Sequence, residues 1–170
     1  MSAEGETRWT RRVGALKTAF DGTFAVPAQP PAVGAQRVLL LTVGGTPCVV
    51  AVEECAGVVP AGAIVRLPST MSAFRGLTTV RGAVLPVYDL ATLLGLEPHP
   101  VARPWLLLAA GLHPVALVAD SVDGYASVPA SVVVTAAAAS HALNVVTIEG
   151  TARRLVALER IVKSIGADDA

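Results

Sequence analysis

The chain has 170 residues, 53% apolar and 15% charged, with 13 basic and 13 acidic side chains and a formal net charge of zero. That composition is globular and excludes a disordered chain, and without a basic excess it argues against a protein whose task is to hold nucleic acid through phosphates. The length fits one domain or two very small ones, and an apolar content dominated by Val, Ala and Leu suits strands covered on both faces.

Residues 1–36 read as an N-terminal extension. Trp9, Val13, Leu16 and Phe20 fall at i, i+4, i+7 and i+11, one face of an amphipathic helix. An aromatic on such a stripe is expected to pack on its own domain. The stretch AVPAQPPAVGAQ at 25–36 is a Pro-rich tether. The opening MSAEGETRWTRR lacks the apolar segment of a secretory signal. The apolar charge-free runs near the front and middle, 38–52 and 105–119, span 15 residues each and are interrupted by Gly and Pro. Both are too short for a typical span, so a cytoplasmic chain without direct membrane insertion is expected.

From Arg37 onward the pattern is β. VLLLTV, CVVAVEE, AIVRLP, AVLPVYDL, WLLLAA, VALVADSV, VVVT, LNVVTIEG and LVALERIV are short, Val-rich and separated by Gly, Pro or His-Pro. Turn signals at such short spacing predict small barrels or a sandwich and not a βαβ fold. DLATLLGL at 89–96 has helical spacing for one or two turns, with Asp89 as its N-cap and Gly95 as its C-cap. LERIVKSIGADDA closes the chain as a short helix that frays into an acidic tail at 166–170.

The sequence repeats internally. Shifted by 67, residues 38–57 lie on 105–124, where Leu39, Leu40, Leu41, Gly44, Pro47 and Gly57 meet identical residues and Glu53 meets Asp120. Shifted by 68, TVRG at 79–82 lies on TIEG at 147–150. Two like β-subdomains side by side are inferred, each of roughly 65 residues and near the lower limit for a self-sufficient core. Their shared boundary is therefore expected to be apolar and large. Gly57, Gly76, Gly124 and Asp89 are assigned structural roles.

In LTTVRGAVLPVYDLATLLGL (77–96), Arg81-Gly82 interrupts an apolar run. Gly82 suits a bulge or a sharp bend where a strand crosses from one sheet to another. Arg81 is then pushed to a rim. Pro86 cannot donate to a ladder, which favours an edge or a bulge. Val80, Arg81, Gly82, Val84 and Pro86 together make an arginine beside aliphatic side chains. That composition fits a partner helix offering an acid and leucines.

The stretch 65–96 resembles the signature of CheW-type coupling proteins, CheW-like domains of bacterial chemosensory arrays. The resemblance rests on Leu67-Pro68, Gly76-Leu77, Arg81-Gly82, Val87-Tyr88-Asp89-Leu90 and Leu94-Gly95. The opening hairpin and the Ala119-Asp120-Ser121-Val122 element follow in the family's order, and the resemblance covers 37–165. It implies an all-β fold with short helices, made of two interleaved SH3-like five-stranded β-barrel subdomains. It also implies a non-catalytic adaptor, without cofactor, bridging the cytoplasmic tips of methyl-accepting chemoreceptors to the regulatory domain of a CheA-type histidine kinase. Two departures bear on the receptor surface. Gly57 stands where family members often carry a Glu able to pair with the arginine of Arg-Gly, and Thr79-Val80 replace the usual Asn before that pair.

Other chemistry finds little support. His99, His113 and His141 are dispersed, and Cys48 and Cys55 have no metal-ligand spacing, so no metal site is expected. Cys48 and His113 fall in like turns of the two halves, but no oxyanion motif or third orienting group accompanies them. No Gly-rich phosphate loop is present. The alternative reading is a small SH3- or OB-like ligand-binding module outside chemotaxis. The stacking surface such a module uses for oligonucleotides is sparse here, since Trp9, Trp105, Tyr88 and Tyr125 are the only Trp and Tyr.

Overall fold

The chain divides into two units, Met1–Val33 and Gly34–Ala170. The computed structural model describes residues 35–111, 114–129, 145–148 and 150–168, all in the second unit. The amphipathic helix, most of the Pro-rich tether, His113, His141 and the VVVT run lie outside the described residues.

Among the described residues, ten strands form two five-stranded sheets. In chain order they are β1 (Ala35–Val43), β2 (Thr46–Ala51), β3 (Cys55–Pro60), β4 (Phe74–Val80), β5 (Ala83–Asp89), β6 (Trp105–Ala109), β7 (Ala116–Ala119), β8 (Ser121–Pro129), β9 (Val145–Ile148) and β10 (Thr151–Val156). The first sheet has the order β8-β1-β2-β10-β9 and the second β3-β6-β7-β5-β4. The repeat equates β1 with β6, β2 with β7, and β3, β4, β5 with β8, β9, β10. Under that mapping the two orders are identical. Each sheet therefore combines the hairpin of one half with the three following strands of the other. The halves are interleaved, which corrects the side-by-side arrangement inferred from the repeat.

The pairings also correct the register of the repeat. Leu39 faces Val50 in the first hairpin, and Leu107 faces Leu117 in the second. Leu155 faces Val49 in the parallel pair β10–β2, and Val87 faces Ala116 in β5–β7. These agree only if β6 matches β1 at a shift of 68 while β7 matches β2 at 67. Burial follows the same rule. Val38, Leu40 and Val49 lie in the inner core of the first sheet. Their equivalents Leu106, Leu108 and Ala116 lie in the inner core of the second, with Leu85 and Val87. Between the sheets runs a third cluster, where Leu41, Val50, Tyr88 and Leu90 are met by their equivalents Ala109, Leu117, Val156 and Leu158. A slip of one residue would have reversed every face.

Two bulges obey the same symmetry. The β3–β6 register shifts between Cys55 and Gly57, and the β8–β1 register breaks opposite Leu40 and Leu41, where the chain passes from Val122 to Gly124. Gly57 and Gly124 are therefore equivalent. A Cβ on Gly57 would make only an ordinary contact with Leu108, and one on Gly124 would meet open space. Gly76 is constrained differently. Its φ is +130°, and an added Cβ would lie 2.0 Å from the carbonyl oxygen of Val65. That approach lets Val65 exchange both backbone hydrogen bonds with Leu77, at 2.8 and 2.9 Å. Ala61 donates to Pro104 at 2.9 Å just before it. The segment after β3 thus joins the two edges of the second sheet.

Among the described residues, two α-helices close the ends of the halves, α1 (Leu90–Leu93) and α2 (Leu158–Asp168). The Asp89 carboxylate accepts from Thr92 N–H at 2.9 Å, and the chain stops in a Schellman turn, with Leu96 donating to Ala91 and Gly95 to Thr92. The residue equivalent to Asp89 is Ala157, which has no side-chain acceptor. The N–H groups of Leu158 and Glu159 instead reach the carboxylate of Glu54, more than a hundred residues away. α2 continues through Asp168, into the stretch the sequence reads as a tail.

Candidate functional site

The β4–β5 hairpin carries the site residues named from the sequence. Val80 pairs with Ala83, so Arg81 and Gly82 form a two-residue hairpin turn at the end of a sheet, not a bend between sheets. Their φ values are +51° and +84°, the left-handed pair that the twist of a tight hairpin favours. Asn-Gly is the common filling of such a turn. Arg81 is the only non-glycine with positive φ among the described residues. A long side chain held there costs on the order of 1–2 kcal/mol. Backbone strain kept at an exposed tip is a pointer to function.

The two faces of the hairpin differ. Thr78, Val80, Leu85 and Val87 point inward; Val80 packs on the inner cluster of the second sheet, and Thr78 donates to Ala63 C=O at 2.9 Å. On the other face, Val65, Leu77 and Pro86 form one cross-strand row, and Thr79 and Val84 form the next. At the base of that face, Phe74 and Tyr88 meet edge to face, with centroids 5.4 Å apart, and belong to the seam between the sheets. The face is therefore seam at its root and surface toward its tip. Val65 and Val84 are 63% and 65% exposed. Pro86 sits just before β5 meets β7, whose pairing begins at Val87, so its missing N–H interrupts no ladder there. The structure thus brings Val84, Pro86 and the Arg81-Gly82 tip together with Leu77 and Val65. It places Val80 on the opposite face.

Arg81 has no ion pair or hydrogen bond with any described residue. Neither neighbouring acid of the first half substitutes for the absent Glu: Glu53 lies 3.9 Å from Arg37, and Glu54 caps α2. Sequence reasoning missed the arginine that is engaged. Arg75, at the bulge between Phe74 and Gly76, donates through Nε and Nη2 to the buried carboxylate of Asp89, the Nε contact at 3.0 Å. Asp89 therefore holds both the first turn of α1 and the root of the hairpin. The signal available was the pair of an acid and an arginine flanking the apolar run.

No group of metal-ligating side chains is present among the described residues. Both thiols are pushed up to about 11 by burial, Cys48 the more completely enclosed. A buried thiol of this kind is a poor nucleophile. No helix of the described residues is long and apolar enough to cross a membrane.

A family model described as CheW-like domain matches residues 37–165. Among solved structures, the chain is similar to the scaffolding protein TtCheW from Thermoanaerobacter tengcongensis, with a TM-score of 0.53 and 17% identity, covering 59% of this chain. The matched part spans 66% of the length of that protein. No curated protein sequence matches the chain.

Proposed function

The chain belongs to the CheW-like domain family, and from that premise we propose that it is a non-catalytic adaptor of a bacterial chemosensory array. In this reading it works in the cytoplasm and couples the tips of methyl-accepting chemoreceptors to the regulatory domain of a CheA-type histidine kinase. The observation that supports it is the exposed extension of the seam: an apolar face ending in a strained arginine without a partner among the described residues. A contiguous exposed apolar patch of this kind marks an interaction surface. Arg81 supplies the charged group that orients an acid-bearing partner segment, and Val84, Pro86, Leu77 and Val65 supply apolar area.

The test is binding of the full chain to a receptor tip fragment and to the kinase regulatory domain, with Val84→Asp as the probe. Val84 is 65% exposed, so its replacement leaves the fold intact. At least one of the two partners is expected to bind the variant tenfold or more weakly. Wild-type affinity of Val84→Asp for both would reject this face as the interface. Failure of the wild-type chain to bind either partner would reject the adaptor reading.

A further inference from the structure

We propose that the open end of the second sheet is a binding site for a small carboxylate with a short apolar body, independent of the adaptor surface. A cavity of about 650 Å³ lies there, within the range of small-molecule sites. It is the mouth of the sheet's own interior. Ile64 and Val118 line it, and both also pack on the inner cluster of that sheet. Gly62, Ala91 and Ala102 contribute small residues to the lining, and polar side chains make up much of the rest.

The polar groups around this mouth are unequally used. Asp89 is occupied: one carboxylate oxygen takes Arg75, the other Thr92. Asp120, on the far side at the end of β7, accepts from Gly45 N–H at 2.8 Å. The donors are less engaged. Arg75 is held by Asp89 through Nε and Nη2, which fixes its guanidinium and leaves Nη1 without a partner among the described residues. Arg66 and His99 also line the cavity and make no hydrogen bond or ion pair with any described residue. A rigidly held guanidinium and a second one lining the same cavity are suited to a planar carboxylate. The apolar wall on the same cavity accommodates a branched aliphatic chain.

The pseudo-symmetry gives independent support. The fold does not require an acid at the position of Asp89, because the second half has Ala157 there and caps its helix with Glu54. The cavity also opens inside the sheet, whereas Val65, Leu77, Val84 and Pro86 lie on the outer face. A protein docked on that outer face leaves the mouth open, and this favours a free small molecule over an acidic side chain of a partner.

The experiment is an amide-resolved NMR titration of the isotope-labelled full chain with isovalerate. 3-Methylbutylamine and a blocked tripeptide containing one Glu serve as comparison ligands. Isovalerate is expected to give saturable shifts at Arg66, Val101 and Ala102. Arg66→Ala is expected to weaken it at least fivefold, and Ala102→Leu, which fills the exposed mouth of a folded chain, to abolish it. Absence of saturation, equal binding of the amine, or unchanged binding in Ala102→Leu would overturn the site. Binding of the Glu peptide alone would overturn the assignment to a free small molecule.

Discussion

Replacing Arg81 by Asn separates what the tip costs the fold from what it contributes to binding. Arg81 sits at φ +51° in a two-residue turn followed by Gly82 at +84°. An L-residue in that region is disfavoured by about 1–2 kcal/mol. Asn adopts it far more readily, because its short amide hydrogen-bonds locally. Since Arg81 has no hydrogen bond or ion pair with any described residue, the exchange removes strain and forfeits no polar contact. Arg81→Asn is therefore expected to stabilise the chain by roughly 0.5–1 kcal/mol, which for a unit of this size is an increase in Tm of about 1–4 °C. Arg81→Gly gains less, because the glycine loses more backbone freedom on folding. Calorimetry and urea melts read the stability. In the same variant, affinity for the receptor tip or kinase regulatory domain is expected to fall roughly tenfold or more. A lower Tm in Arg81→Asn would refute the reasoning, because it would make the guanidinium a support of the fold. Gained stability with unchanged affinity for both partners would keep the strain and remove the binding role.

Three further outcomes follow from the packing. Gly76→Ala places a Cβ 2.0 Å from the Val65 carbonyl at a φ of +130°, so urea melts are expected to show a loss of about 3 kcal/mol or more; a loss under about 1 kcal/mol would mean the edge can shift. Glu54→Ala removes the acceptor at the start of α2 and should cost about 1–2 kcal/mol, with faster exchange of the Leu158 and Glu159 amides, while unchanged exchange would deny Glu54 its capping role. Cys48 has its thiol raised from 9.0 to about 11 by burial, so its neutral form stabilises the fold below pH 9, and that contribution is lost as pH rises from 9 to 11. Cys48→Val, which installs the residue found at the equivalent Val115, should flatten the alkaline limb of the stability profile by at most about 3 kcal/mol, and an unchanged limb would show that the thiol ionises in the folded state as it does in the unfolded one.

Local chemistry was legible in the sequence because its causes are local. Asp89 before LATL and Gly95 after it mark a helix start and stop within eight residues, and the short Val-rich runs between glycines mark strands. Partners chosen across the chain were not legible in the same way. That β2 pairs with β10 and β5 with β7 is decided by which apolar faces can be buried together, and both halves offer the same faces, so side-by-side and interleaved arrangements read alike. The register of the repeat was hidden for a related reason. A run of three leucines in each half gives three identities at a shift of 67 and two at 68, so identity favours the shift that does not keep Leu40 and Leu108 in equivalent cores. The repeat becomes most informative where it fails. Ala157 in place of Asp89 shows that the second helix must take its cap from elsewhere, and Glu54 supplies it. Val84 and Pro86 are matched by the smaller Ala152 and the charged Arg154, so the outer face of one hairpin carries apolar area that its counterpart lacks at those positions. The fold needs the positions that the two halves share. The positions where they diverge, at the Arg81 tip, its apolar flank and the Arg75–Asp89 mouth, are free to be set by what the protein meets.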